Sequence, residues 1–201
     1  TENWYLADCK DDASLLVGLK EGVTQKQFTH ALSQKNLIDC VNRFSVNIGD
    51  SILVKSGLIH AIEAGNLILE VQQNSNTTYR VYDWERVGLN GAPRQLQIKE
   101  SLQSITFKEH KPELKRAVEG DQILADCSEF RIRKFQLRRG STNLQLPAHE
   151  CARIIHVIKG QLIDTFSGKV LKKGKNYLQA YVTGIQLKAE SAAIVLVTDQ
   201  F

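Results

Sequence analysis

Residues 57–86 read G-L-I-H-A-I-E-A-G-N-L-I-L-E-V-Q-Q-N-S-N-T-T-Y-R-V-Y-D-W-E-R. An apolar strand pattern runs up to His60, and Gly65 closes a turn after it. Residues 66–73 then form a strand that passes from apolar to polar, and a further strand carries Arg80 and Asp83. Within about one hairpin this places an imidazole, the Glu70 carboxylate, a polar Gln-Gln-Asn-Ser run and a guanidinium. Such a set suits a small, polar or anionic ligand, because fixed donors and acceptors converge on a short length of sheet.

The same punctuation continues on both sides. Residues 14–20 read as a strand ended by Gly22, and a Gly49-Asp50 turn leads into a strand over 51–55. Short strands divided by Gly, Asn, Asp and Ser predict an all-β sandwich or barrel. The exception is 24–41, where Phe28, Ala31, Leu32 and Ile38 recur at helical spacing. Thr24, with Gln27 three residues on, has the form of a capping box. Gln95 to Ile105 carries an extended apolar pattern at Leu96, Ile98 and Leu102.

Residues 107–125 are polar and largely aperiodic and contain Pro112, so they read as a linker between a unit at 1–106 and a second at 126–201. In the second unit 130–138 alternates as a strand. Residues 153–158 and 161–165 flank Lys159-Gly160 as a tight hairpin. Strands over 177–182 and 192–198 follow. The expected architecture is mainly all-β: two β-sandwich units with one helical insertion.

With 201 residues the chain can bury one good core or two small ones. The formal net charge is only +4, and the basic residues form no long run interleaved with aromatics. Nucleic-acid binding is therefore disfavoured, and the basic clusters at 131–134 and 172–175 are expected to be solvated strand and turn positions. No apolar run of membrane-spanning length occurs, and Glu2 and Asp8 interrupt any leader-like opening. A cytoplasmic location is expected, in keeping with four scattered cysteines that lack a C-x-x-C pair.

The run Q-Q-N-S-N-T-T-Y-R-V-Y-D-W, with H-A-I before it and T-E-N-W at 1–4, resembles the signature of type I mannose-6-phosphate isomerases. The resemblance extends over about residues 1–101. It implies cupin jelly rolls and a zinc cofactor, with Glu2 and His60 as metal ligands and Arg80 as a catalytic residue. It also implies a small sugar phosphate as partner, and reversible conversion of mannose 6-phosphate to fructose 6-phosphate. An arginine suits that role, since its planar, permanently charged fork can steady developing negative charge on oxygen. In that family a Q-x-H segment ahead of the glutamate adds further ligands, and it would lie ahead of Thr1.

Two departures stand out. Asn76 replaces a common aspartate, and an amide cannot exchange a proton as a carboxylate does. Glu63 and Glu85 stand where small residues are frequent, which would add bulk and charge near the site. Asn76, together with ligands that would lie ahead of Thr1, keeps a different class open, a non-catalytic cupin that binds sugar or regulates. His30, His149 and His156 read as structural or surface histidines, and H-E-C-A-R lacks the second histidine of a zincin motif.

Overall fold

The computed structural model describes residues 1–88, 91–108, 111–141, 144–147, 151–180 and 184–201. It divides into two compact units, Thr1–Leu114 and Lys115–Phe201. The boundary lies inside the stretch expected to be a linker, and that stretch is not structureless. It holds the short strand Leu114–Lys115 and the strand Gln122–Asp126. Leu124 and Ala125 are buried there, and that burial offsets the polar composition around them.

In the first unit, strands β1 (Glu2–Cys9) and β2 (Ser14–Leu19) are followed by helix α1 (Gln25–Ser33). Then come β3 (Val41–Ser45), β4 (Ser51–Val54), β5 (His60–Ile62) and β6 (Asn66–Gln72). Helix α2 (Ile98–Ser104) and β7 (Leu114–Lys115) complete the unit. The strands form two sheets in the orders β6-β1-β4-β7 and β3-β2-β5. Period-two alternation packs them face to face. Trp4, Leu6, Ile52 and Val54 from one sheet meet Leu15, Val17 and Phe44 from the other in a single apolar cluster.

Leu16, Leu19 and Val41 point from the second sheet to its outer side, where Phe28, Ala31, Leu32 and Leu102 of the helices cover them. The expected helix over 24–41 is shorter than its apolar spacing suggested. It stops at Ser33, Lys35 adopts φ 57°, and a separate 3-10 turn spans Leu37–Cys40. Ile38 still joins the same cluster as Phe28, so burial is continuous although the helix is not. Residues 95–105 differ from expectation too. They carry helix α2, and Leu102 and Ile105 turn inward at i,i+3 spacing. Apolar residues at 96, 98 and 102 fit either period, and packing decided between them. Among the described residues between β6 and α2 there is no further strand, so Arg80 and Asp83, expected on one, lie in loop.

Thr24 caps α1 as its sequence implied: its hydroxyl accepts from the Gln27 N–H at 3.3 Å, and Gln27 Oε1 accepts from the Thr24 N–H at 2.8 Å. Thr24→Ala is expected to lower stability by about 0.5–2 kcal/mol with no change in ligand binding. Denaturant melts beside a binding assay check both halves of that statement.

The second unit contains β8 (Gln122–Asp126), β9 (Arg131–Leu137), β10 (Leu144–Leu146), β11 (Arg153–Lys159) and β12 (Gln161–Asp164). It ends with β13 (Val170–Lys172), β14 (Asn176–Gln179), β15 (Ile185–Ala189) and β16 (Ala193–Asp199). Two sheets again face one another, β14-β11-β16-β9-β8 and β10-β15-β12-β13. The expected hairpin at Lys159-Gly160 is a corner instead. β11 pairs with β14 and β16, whereas β12 pairs with β13 and β15. Gly160 has φ 78°, and a Cβ there would lie 2.9 Å from Ala193. A tight hairpin and a sheet-to-sheet corner both call for glycine, so the local signal could not separate them. Arg131, Arg133 and Lys134 are not simply solvated either. Lys134 is buried and donates to the Val118 carbonyl, while Arg131 and Arg133 pair with Asp199.

Candidate active site

Strand parity builds the first side of the site. On β1, Glu2, Trp4 and Leu6 point into the sandwich, and Trp4 and Leu6 are fully buried. Glu2 lies opposite Val54 of β4 and Gln72 of β6. The other side comes from the facing sheet, where His60 opens β5 opposite Val17. Gly57, three residues earlier, has φ 89° and carries the chain close to the end of α2. A Cβ on it would run into the Thr106 hydroxyl and come within 3.0 Å of the Ser104 carbonyl. The backbone leading to His60 is thereby fixed against a helix.

These two strands bring His60 Nε2 to 3.4 Å from Glu2 Oε1, with the Trp4 ring edge-on to the imidazole at 5.4 Å. His60 Nδ1 lies 2.7 Å from the Leu58 carbonyl oxygen. A carbonyl only accepts, so Nδ1 carries the proton in the neutral ring and Nε2 turns its lone pair toward the carboxylate. Two acceptors that face each other call for a cation or a proton between them. A histidine tied through its second nitrogen to a backbone carbonyl is also how metal-binding imidazoles are oriented. Burial pushes the Glu2 pKa up, His60 opposes that, and the negative field of Glu70 adds to it. The donor set therefore fits a divalent metal of borderline softness. Among the described residues no group of three or more His, Cys, Asp and Glu side chains is arranged around a metal position, so Glu2 and His60 stand as a pair.

Arg80 lines the same cleft, of about 510 Å³, as Glu2 and His60. It lies in loop, yet its backbone is clamped. The Arg80 N–H donates to Gln97 Oε1 at 3.0 Å, and the Gln97 N–H donates to the Arg80 carbonyl at 2.8 Å. Gln97 is the residue at which α2 begins. Asp83, three residues from Arg80, is held by Arg94 instead. Arg94 Nε donates to it at 2.6 Å and Arg94 Nη2 donates to its second oxygen, whereas Arg80 Nε is 3.9 Å away. The hydrogen bonds from Arg94 hold the Asp83 pKa below its usual range. The Arg80 guanidinium, with 32% of its side chain exposed, is left to the cleft.

The remaining candidates scatter. Glu63 accepts from Ser14 and Arg43, and Glu85 pairs with Lys35. Neither lines the cleft, so the bulk expected beside the site is turned away by ion pairs. Glu70 and Asn76 are exposed, as is His30 at the end of α1. His149 lies outside the described residues. Arg94 and Gln97 were missed in the sequence. Their partners lie eleven and seventeen residues away across a loop, with no periodicity to announce the pairing.

His156 is buried in the second unit. Its Nδ1 meets Asn176 Oδ1 at 3.0 Å and its Nε2 meets the Thr198 hydroxyl at 2.9 Å. Burial holds its pKa below the usual value, so the unfolded chain binds the proton more readily. The stabilisation is complete above about pH 6.5 and is lost as pH falls through the folded pKa. Melting temperatures followed from pH 7.5 to lower values should fall, and His156→Gln should flatten that dependence while leaving metal content unaltered.

A jelly-roll sandwich with an imidazole and a carboxylate meeting between its sheets has the architecture of a cupin, with its candidate site where the two groups meet. No family model matches the chain. Relatives do. It is 33% identical over 207 residues to the mannose-6-phosphate isomerase ManA of Bacillus subtilis (strain 168), covering 98% of this chain and 64% of that protein. It is 34% identical over 182 residues to "Probable mannose-6-phosphate isomerase GmuF" of the same organism, covering 88% and 55%. The crystal structure of the mannose 6-phosphate isomerase from Bacillus subtilis superposes with a TM-score of 0.86 at 26% identity, over 99% of this chain and 64% of that one. The chain belongs to the type I mannose-6-phosphate isomerase family and has its cupin fold. It spans 55% and 64% of the lengths of those two sequence relatives.

Proposed function

We propose that the full-length protein is a cytoplasmic, zinc-dependent aldose–ketose isomerase that interconverts mannose 6-phosphate and fructose 6-phosphate. The observation that carries this reading is the pair of acceptors, Glu2 Oε1 and His60 Nε2, facing each other at 3.4 Å in a cleft that Arg80 also lines. Both relatives reported above carry that activity in their names. Glu2 and His60 would hold the metal, with further ligands from outside the described residues. When bound, it supplies Lewis acidity toward the sugar's carbonyl and hydroxyl oxygens.

In the proposed reaction the carbonyl moves from C1 to C2 through an enediol, as a proton leaves C2 and one is delivered to C1. Negative charge develops on oxygen in between. Arg80 sits where a fixed, permanently charged fork can stabilise it, and the Gln97 clamp keeps the fork's backbone in place. Trp4 packs edge-on against one side of the imidazole and helps fix its orientation. The test is conversion of mannose 6-phosphate by the full-length protein loaded with zinc. Steady production of fructose 6-phosphate supports the reading. Sugar binding without turnover would select the non-catalytic cupin instead, which the amide at Asn76 favours.

A further inference from the structure

The second unit holds a charge cluster at one end of its own sandwich. Alternation on β9, β11 and β16 turns Arg131, Arg133, Arg153 and Asp199 to the inner face, in line with Ile155, Val157, Val195 and Val197 of the core. Asp199 is fully buried. It accepts from Arg131 Nε at 3.0 Å, Arg131 Nη2 at 3.3 Å and Arg133 Nη2 at 2.6 Å. Arg153 Nε is 3.8 Å away, beyond hydrogen-bond reach, and Arg153 Nη1 donates to the Pro147 carbonyl at 2.7 Å. Guanidiniums outweigh the pull of burial and hold the Asp199 pKa low, so its one negative charge is already shared.

Among the described residues positive charge remains in excess. Arg153 is 4% exposed, and its Nε has no hydrogen-bond partner among the described residues; the same is true of Arg133 Nε. Asp126, exposed and opposite Arg131 in the ladder, offsets part of one charge only. Buried guanidinium donors left unfilled carry a large desolvation cost unless an acceptor completes them. Arg131 and Arg133 keep 25% and 28% of their side chains exposed, so the cluster opens to solvent.

We propose that Arg131, Arg133 and Arg153 form a binding site for a small oxyanion, a phosphate or carboxylate group, in the second unit. Planar forks at fixed positions suit such a group, since each can give two parallel N–H bonds to its oxygens. The site is built from second-unit residues alone, and the isomerase reading can fail without touching it.

The test is calorimetric titration of the full-length protein with inorganic phosphate, and separately with acetate, at constant ionic strength. Binding is expected to weaken by about ten-fold or more, or ~1.4 kcal/mol, in Arg133→Gln and to persist in Arg80→Ala. Tighter phosphate marks a phosphate-bearing ligand and tighter acetate a carboxylate. Binding of neither, or equal binding by parent and Arg133→Gln, overturns the proposal. Should Arg133→Gln not fold, crystals of the parent grown with selenate decide. Anomalous density beside Arg153 upholds the site, and its absence there removes it.

Discussion

Replacing Arg80 by alanine in the full-length protein is expected to reduce turnover by about a hundred- to a thousand-fold, ~3–4 kcal/mol of transition-state stabilisation. Fold and metal content should stay as they were. The structure says why the fold should survive. Asp83 is satisfied by Arg94 and does not depend on Arg80 at 3.9 Å. The Gln97 clamp uses only the Arg80 backbone. Arg80→Lys should recover little, because an ammonium is a point charge and cannot offer a planar pair of donors. Steady-state kinetics, with circular dichroism and metal analysis on the same samples, give the answer. An active parent matched by Arg80→Ala would leave the fold assignment intact and remove Arg80 from the chemistry.

Removal of His60 should fail in a different way. Its Nε2 lone pair is one of the two acceptors facing each other at 3.4 Å, so His60→Ala deletes one of the two proposed ligands and should lower bound zinc. Losing a group that only hydrogen-bonds a metal-binding side chain costs about 10–100-fold in metal affinity, and loss of a direct ligand should cost at least as much. Added zinc should restore part of the activity, which it cannot do for Arg80→Ala. Glu2→Gln keeps the shape of the site and removes the negative charge, so it should lose metal as well. Metal content of each purified variant is the measurement. Undiminished zinc in both variants would place the metal elsewhere.

Much of this site could be read from local sequence. T-E-N-W, H-A-I and T-T-Y-R each carry their residue types within a few positions. The surroundings could not be read in that way. Asp83 has arginines three residues before it and eleven after it, and the nearer one looks like its partner. The structure gives it to Arg94, whose Nε and Nη2 both reach the carboxylate. Glu63 and Glu85 looked intrusive for a similar reason, because Arg43 and Lys35, which turn them away, lie 20 and 50 residues off.

The sequence by itself determined the β-rich class, the Thr24 cap, the turns at glycine and the residue types of the site. All of these depend on steric and hydrogen-bonding preferences that act over a few residues. Tertiary structure alone decided the rest. It ended α1 at Ser33 and made a helix of Ile98–Ser104, because the outer face of the β3-β2-β5 sheet needed cover. It turned Gly160 into a corner between sheets, since the partners of β11 and β12 come from distant strands. It also drew Arg131, Arg133 and Arg153 around Asp199, although the first two look like ordinary solvated positions on their strand. A local pattern states what a residue can do. Which partner it meets depends on sheet register and on burial summed over the whole unit, and neither is written in any short stretch.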